Sequence, residues 1–547
     1  MQPLGPFHLL VLAATASLFL IPLMWRLAPR FGLVDMPDAR KVHTVPIPRV
    51  GGWGITLGML FPLLFWLQTE PLLQSFVLGT LILFAFGVWD DAKQIGHWPK
   101  FLGQVAAASV VVYYGNLYVT GLPFVDGNAM SAAIGKPFTV FALVGVINAI
   151  NHSDGLDGLA AGECLLSLIA LASLGLLAGD MVIVGVALAA AGGVIGFLRY
   201  NSHPARVFMG DCGSQVLGFT VAFLTIDLTQ VADTALSAAL PLLLLGVPIL
   251  DILAVLYQRI SGGMNWFKAS RNHVHHRLLD LGFRHFETVI IIYSIQALLV
   301  VSAVLLRYQS DSSIAAVYLL VGTGLFGALA LAERSGWRHD DLARGGVLRR
   351  LSAVGEQLAR SRFIRQSPRA LITISVPAIL LLGPLGVARV PPDVALVAAV
   401  LAAVVATQIG RSRANGSALV RLAIYVAAIA SVYLFIDYPG ASSRPLQPVV
   451  LILVASLAVA IAGYVRFATD YRFGTTPTDY LILFVVLALL VFGNLDIGAR
   501  ALVEIVVYAI VLLYSCEVLI GVTAKRWNVL HLSTLGSLTI IAVRSVV

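Results

Sequence analysis

Apolar runs close to the roughly 20 residues that cross a bilayer recur along nearly the whole chain, each ended by a short polar or Gly/Pro-rich break. In the first 335 residues they predict helices at about 7–25, 51–68, 72–89, 101–117, 137–151, 159–178, 181–198, 214–229, 236–257, 287–306 and 313–332. Some five to seven more follow from about residue 370 to the end. The pattern is that of an all-α, polytopic membrane protein with about eleven transmembrane helices in a first domain and about five to seven C-terminal to it. The first run begins near Phe7 with no basic residue before it, so it reads as a retained transmembrane helix and not as a cleaved signal peptide.

The polar breaks are unequal. Loop 26–50 carries Arg26, Arg30, Arg40, Lys41 and Arg49, whereas the next holds Glu70 and no base. Lys and Arg mark inside loops, so the first helix is expected to run from outside to inside. Alternating from there, the inside loops contain "DDAKQIGHWPK", "NHSDGLDG", "RYNSHPARVFMGDCGS" and the stretch ending "RNHVHHRLLDLGFRHF". Every polar cluster then falls on the cytoplasmic face. Between Glu333 and Arg369 nine arginines alternate with apolar residues, which fits either an amphipathic segment on the anionic leaflet or an ordinary positive-inside linker. It divides the chain into 1–335, a linker at 336–369 and a further membrane domain at 370–547 of unknown role.

Composition narrows this picture. With 59% hydrophobic and 12% charged residues the chain lies far from the roughly 25% charge of a soluble domain. The formal charge of +8 belongs to membrane loops and does not suggest nucleic acid. Cys164, Cys212 and Cys516 are odd in number and widely spaced, so neither a disulfide framework nor a zinc site is indicated.

Five polar clusters carry candidate chemistry. In "DMPDARKVHTVPIPRVGGWG", Arg40, Lys41 and His43 are suited to phosphate, and Gly51–Gly52 would let a ligand approach the backbone at a helix start. A positive-inside loop also explains these bases. Asp90 and Asp91 fall at a helix C-terminus, where the dipole disfavours them, so a divalent cation or Lys100 should compensate. In "NAINHSDGLDGLAAG", Asp154 and Asp157 would share a face if a helix starts there, with Asn148 and Asn151 one turn earlier. Gly155 and Gly158 would keep that entrance open for a nucleotide or pyrophosphate. Asp211, expected in a tight Gly210–Gly213 turn before a helix, suits Mg²⁺, which takes one or two carboxylates with substrate phosphates and water. His273, His275 and His276, beside Arg271 and Arg277, lack zinc spacing and are better phosphate binders.

These motifs resemble, in order and spacing, the polyprenyl-phosphate N-acetylhexosamine-1-phosphate transferases, across roughly residues 1–335. "HTVPIPRVGG" is similar to the GlcNAc-phosphate branch of WecA and TagO type, whereas the "GTPTMGG" of the MurNAc-pentapeptide branch is absent. His152, Ser153 and Cys212 depart from the usual pattern. The resemblance implies transfer of HexNAc-1-phosphate from a UDP-N-acetylhexosamine to undecaprenyl phosphate, with release of UMP. It implies Mg²⁺, for which Mn²⁺ can substitute, held by Asp211 and Asn151. Asp90, Asp91, Lys100, Asp154 and Asp211 would be catalytic. Lys41, His43, Asn148, Gly155, Leu156, Asp157, Arg271, His273, His275 and His276 would bind substrates. Some relatives are homodimers, a state the sequence leaves open.

Other classes compete. A transporter or flippase would account for the many helices, but its site should lie at the bilayer midplane between related repeats, and no repeat is visible. A catalytically inactive scaffold would not need to keep every motif residue.

Overall fold

In the computed structural model the described residues are 6–36, 45–66, 70–125, 130–263, 272–339, 362–409, 418–467, 480–485, 488, 500–522 and 529–544. Among the described residues the chain is helical apart from one two-stranded sheet, and twelve of the helices are long and apolar enough to cross a membrane. It is a multi-pass membrane protein. Two compact units are present: one comprises 1–341 with 476–492, the other 342–475 with 493–547.

The first unit contains α1 (Pro6–Leu27), α2 (Gly51–Trp66), α3 (Pro71–Lys93), α4 (His97–Ser109), α5 (Ala132–Ser153), α6 (Leu159–Ala178), α7 (Met181–Asn201), α8 (Gly210–Asp227), α9 (Leu240–Ser261), the short α10 (Val274–Asp280), α11 (His285–Leu305) and α12 (Asp311–Arg334). Helices α6, α7 and α8 form its centre, with 94%, 83% and 78% of their spanning windows buried. They are apolar all round, as a helix enclosed by other helices must be. Around them α1 and α2 pack on α7, α3 and α5 on α8, and α11 on α6 and α9.

The ends that carry the polar motifs gather at one end of this unit. Val34–Asp35 (β1) pairs antiparallel with Ile47–Pro48 (β2), and the chain then lies along the α7–α8 loop. There Phe208 donates its N–H to the Pro48 carbonyl, and Gly51 and Gly52 donate to the carbonyls of Phe208 and Met209. The glycine pair expected at a ligand therefore packs against the protein's own loop, where a Cβ on Gly52 would lie 2.4 Å from the Gly213 nitrogen. Helix α9 bends at Gly246, whose φ of +49° and ψ of −125° leave the helical region, two residues before Pro248. Gln296 Oε1 accepts the freed Val247 N–H at 2.8 Å and Tyr318 donates to the Gly246 carbonyl at 3.2 Å. Such replacement bonds are what allow a kink inside an apolar bundle.

Two local expectations fail at this end. α5 stops at Ser153 and α6 begins at Leu159, so Asp154 and Asp157 lie in a connecting turn and not on a helical face. α8 begins at Gly210, so Asp211 stands in its first turn and not in a turn preceding it. In the second case a neighbouring segment, and not local propensity, decides the boundary.

The second unit contains α13 (Arg362–Leu385), α14 (Pro392–Ile409), α15 (Ala418–Asp437), α16 (Ser443–Phe467), α17 (Arg500–Val522) and α18 (Val529–Val543). α13 packs on α15, α16 and α18. Most of the linker at 336–369 lies outside the described residues.

Candidate active site

The first turn of α8 is set by α3. Asp91, buried in the last turn of α3, accepts the N–H of Asp211 at 2.8 Å and of Cys212 at 3.2 Å, so a carboxylate caps the positive end of α8. Gly210 makes this approach possible. Its φ is +74°, and a Cβ there would lie 2.6 Å from Asp91 Oδ2.

Beside this clamp, Lys100 in the first turn of α4 places Nζ 2.6 Å from Asp90 Oδ2 and 2.7 Å from Asp211 Oδ2. The compensation expected for the Asp90–Asp91 pair is thus Lys100, bridging Asp90 to a third carboxylate. Burial alone would lower the lysine pKa, but Asp211 and then Asp90 outweigh it and hold the ammonium above its ordinary value. Asp90 is 3% exposed and its Oδ1 accepts the N–H of Ile95. Asn151, near the end of α5, donates Nδ2 to Asp211 Oδ1 at 2.6 Å and to Ser214 Oγ at 2.7 Å. One turn back, Asn148 donates to Gln104, which donates to Gln215. The two asparagines therefore tie α5 to α4 and α8.

A cavity of about 670 Å³ opens beside these groups, walled by Asp211, Asn151 and the α5–α6 turn on one side and by the β2 and α7–α8 segments on the other. Asp154, Gly155, Leu156 and Asp157 all face it. Asp154 is pushed up to about 7, chiefly by burial and then by the carboxylates of Asp211, Asp157 and Asp91. Asp157 moves the other way: burial opposes it, but bonds from His203 Nδ1 at 2.7 Å and the Ala205 N–H at 3.0 Å hold it below the usual carboxylate range. The two aspartates, three residues apart, thus occupy opposite electrostatic environments.

The turn is fixed from behind. Asn201 accepts the Gly158 N–H at 2.7 Å and donates to the Val207 carbonyl, and Tyr293 donates to the Gly158 carbonyl. Buried Glu163 accepts a bond from Ser153.

The "HVHH" motif divides. His273 holds Asp251 of α9 at 2.7 Å, which also accepts the Val274 N–H and so caps α10. His275 is buried against Gly155, and burial, then His276, lowers its pKa to about 3, so it is neutral. His276 faces the cavity. Lys41, His43 and Arg271 lie outside the described residues. Sequence reasoning passed over Asp251, Glu163, Asn201, His203 and His285. The first two carried a signal, an ionisable residue within an apolar run. The others carried none until the loops came together.

Three carboxylates, one ammonium and carboxamides at the mouth of a helix N-terminus form a site for anionic phosphate chemistry at a membrane surface. Such a site on a polytopic helical bundle suits phosphoryl transfer at a membrane surface. Residues 73–229 match glycosyl transferase family 4. The chain is 34% identical over 299 residues to a probable undecaprenyl-phosphate N-acetylglucosaminyl 1-phosphate transferase of Bacillus subtilis, covering 54% of this chain and 84% of that relative. It is 34% identical over 300 residues to the decaprenyl-phosphate N-acetylglucosaminephosphotransferase of Mycobacterium tuberculosis, covering 49% and 74%. It is 30% identical over 293 residues to the undecaprenyl-phosphate alpha-N-acetylglucosaminyl 1-phosphate transferase of Escherichia coli K12, covering 52% and 79%. The chain belongs to glycosyl transferase family 4, with a WecA- and TagO-like half, and these relatives align with only about half of it.

Proposed function

We propose that residues 1–335 transfer an N-acetylhexosamine 1-phosphate, with GlcNAc-1-phosphate as the sugar, from its UDP donor to undecaprenyl phosphate at the cytoplasmic face of a bacterial inner membrane. The product begins a lipid-linked surface glycan such as O-antigen. A phosphate oxygen of the lipid attacks the sugar-bearing phosphorus, the bond from that phosphorus to the bridging oxygen breaks, and UMP leaves. The observation that carries this reading is the Asp90–Lys100–Asp211 bridge, whose Asp211 lines the cavity together with Asn151, which bonds it.

The donor set fits Mg²⁺: hard oxygen ligands converge where Lys100 now supplies positive charge between two carboxylates. Asp211, with Asn151 beside it, would hold the ion, which when bound neutralises the diphosphate charge and polarises its oxygens. Asp90 is buried on Lys100, so its role is to orient the ammonium. The lipid phosphate, with a second pKa near 6, is already largely ionised at neutral pH. Lys100, released toward substrate, neutralises it. Asp157, held ionised by its neighbours, accepts from the ribose or base, with Gly155 and Leu156 beside it. Asn148 keeps α5 in place, and His276, which lines the cavity, reaches phosphate. Lys41, His43 and Arg271 are assigned to phosphate by their place in the sequence, whereas His273 and His275 are taken up by Asp251 and by packing on Gly155 and so position α10 instead of touching substrate.

The test is an assay of purified full-length protein with undecaprenyl phosphate, Mg²⁺ and a panel of UDP-N-acetylhexosamines, scoring UMP release and lipid mass. UDP-GlcNAc is expected to give UMP and a lipid carrying one sugar and one added phosphate. Folded protein that releases UMP with no donor would overturn the proposal, and release with a different donor only would overturn its sugar.

A further inference from the structure

A second polar group of different chemistry lies on the same cavity. Asp157 Oδ2 stands 2.7 Å from His203 Nδ1, and His285 Nε2 lies 4.0 Å from the same oxygen. One ligand atom from each residue falls within 4.8 Å of the other two. The two imidazoles stack with centroids 4.1 Å apart and planes 19° from parallel. The α5–α6 turn, the α7–α8 loop and the start of α11 each supply one member, so the fold and not a local motif assembles the set. All three face the cavity.

The imidazole N–H of His203 donates to Asp157 Oδ2, which also accepts the Ala205 N–H. His285 Nε2 accepts the Asp157 N–H at 3.1 Å, so its lone pair is engaged by the backbone of the same turn and a cation binding there must displace that hydrogen bond. In the neutral ring the proton then sits on Nδ1, which is buried with no hydrogen-bond partner. Ligands to a cation must be deprotonated, and here one proton, between His203 and Asp157, needs to leave. Bonds of about 2.0–2.2 Å to zinc place tetrahedral ligands roughly 3.3 Å apart, a value that the observed 2.7 and 4.0 Å bracket.

The geometry points to a three-ligand site for a transition ion of the Zn²⁺ class at Asp157, His203 and His285, with its remaining position open to the cavity. Two imidazoles and one carboxylate select Zn²⁺ or Co²⁺ over Mg²⁺, which prefers the oxygen donors around Asp211. The cavity therefore holds two cation sites of opposite taste. Occupancy of the nitrogen-rich one takes the Asp157 carboxylate away from the donor nucleotide, so Zn²⁺ inhibits. The ion site stands on these three residues alone, whereas the inhibition rests on the reaction proposed above.

Tag-free, full-length protein in detergent is titrated with Co²⁺ and followed by its visible absorption. One equivalent with a nitrogen and oxygen ligand spectrum is expected, displaced by Zn²⁺ and unaffected by excess Mg²⁺. His203→Asn and His285→Asn should each weaken binding by about 10-fold or more, while His276→Asn does not, with metal-free melting curves checking the fold. No Co²⁺ bound by the wild type, displacement by Mg²⁺, or binding lost with His276→Asn but kept in the other two variants would overturn the site. In the transferase assay at saturating Mg²⁺, Zn²⁺ should raise KM for the UDP-sugar in the wild type and not in His203→Asn. An unchanged KM beside a normal Co²⁺ titration would overturn the inhibition and leave the site standing.

Discussion

The polar end of the first unit and the interior of the second place polar atoms in apolar surroundings in opposite ways. In the second unit the buried groups are mainly hydroxyls. Ser431 bonds Ser537 across two helices at 3.0 Å, and Ser515, Ser533 and Thr534 return their hydrogens to carbonyls of their own helices. Each such group is neutral and satisfied locally. In the first unit Asp90, Asp91, Lys100 and Asp211 crowd one end, and each is held by a charge or amide from another helix, while Asp154 beside them faces only like charges. Hydroxyls can be tolerated one at a time, whereas buried charges persist only as a mutually compensating set.

The sharpest break of this contrast is Asp211→Asn, expected to lower transfer about 10³-fold or more because charge neutralisation at the diphosphate depends on it. Turnover assays beside a melting curve check it, since the neutral variant keeps the α8 cap from Asp91. Lys100→Met comes next. It leaves Asp90 and Asp211 facing each other without the ammonium, and should cost on the order of 3 kcal/mol in chemical unfolding as well as activity. Equal stability of variant and wild type would show that the carboxylates do not need the bridge.

Asp154 gives a smaller, pH-dependent effect. Its folded pKa of about 7 lies above the ordinary value of 3.8, so the folded state binds the extra proton between these limits. The stability this contributes is present below about pH 4 and is lost as pH rises through 7. In divalent-free buffer Asp154→Asn should therefore melt higher than wild type at pH 8, with the gap narrowing as pH falls and closing only near pH 4. The mildest change is Ser537→Ala in the second unit, expected to cost at most about 1 kcal/mol and to leave transfer untouched, measured by the same two assays. A large loss there would mean that the second unit is not the neutral region its hydroxyls suggest.

The apolar runs made the helices legible, because a bilayer imposes one length on all of them. Helix α3 was expected at 72–89 and runs Pro71–Lys93, extending far enough to bring Asp90 and Asp91 inside its last turn. The start of α6 at Leu159 fell where the apolar run placed it, with Asn201 and Tyr293 pinning the turn before it, whereas α8 starts at Gly210 and not at 214 because Asp91, distant in sequence, caps it. Lys100 was legible as a compensating charge for Asp90. That it also reaches Asp211 depends on α4 folding back along α3, which no local pattern specifies. His203 was visible inside "NSHPARVF" but gained a partner only when its loop met the α5–α6 turn.

The cap that Asp91 places on α8 has a mechanical consequence. Helices in bilayers of different thickness adjust by tilting. Because Asp91, next to Asp90, accepts the N–H of Asp211 itself and of Cys212, the ends of α3 and α8 are joined at the reactive carboxylates, and that joint is expected to act as a pivot. A change in membrane thickness swings the far ends of the two helices, and the spacing between the reactive carboxylates is carried along unchanged.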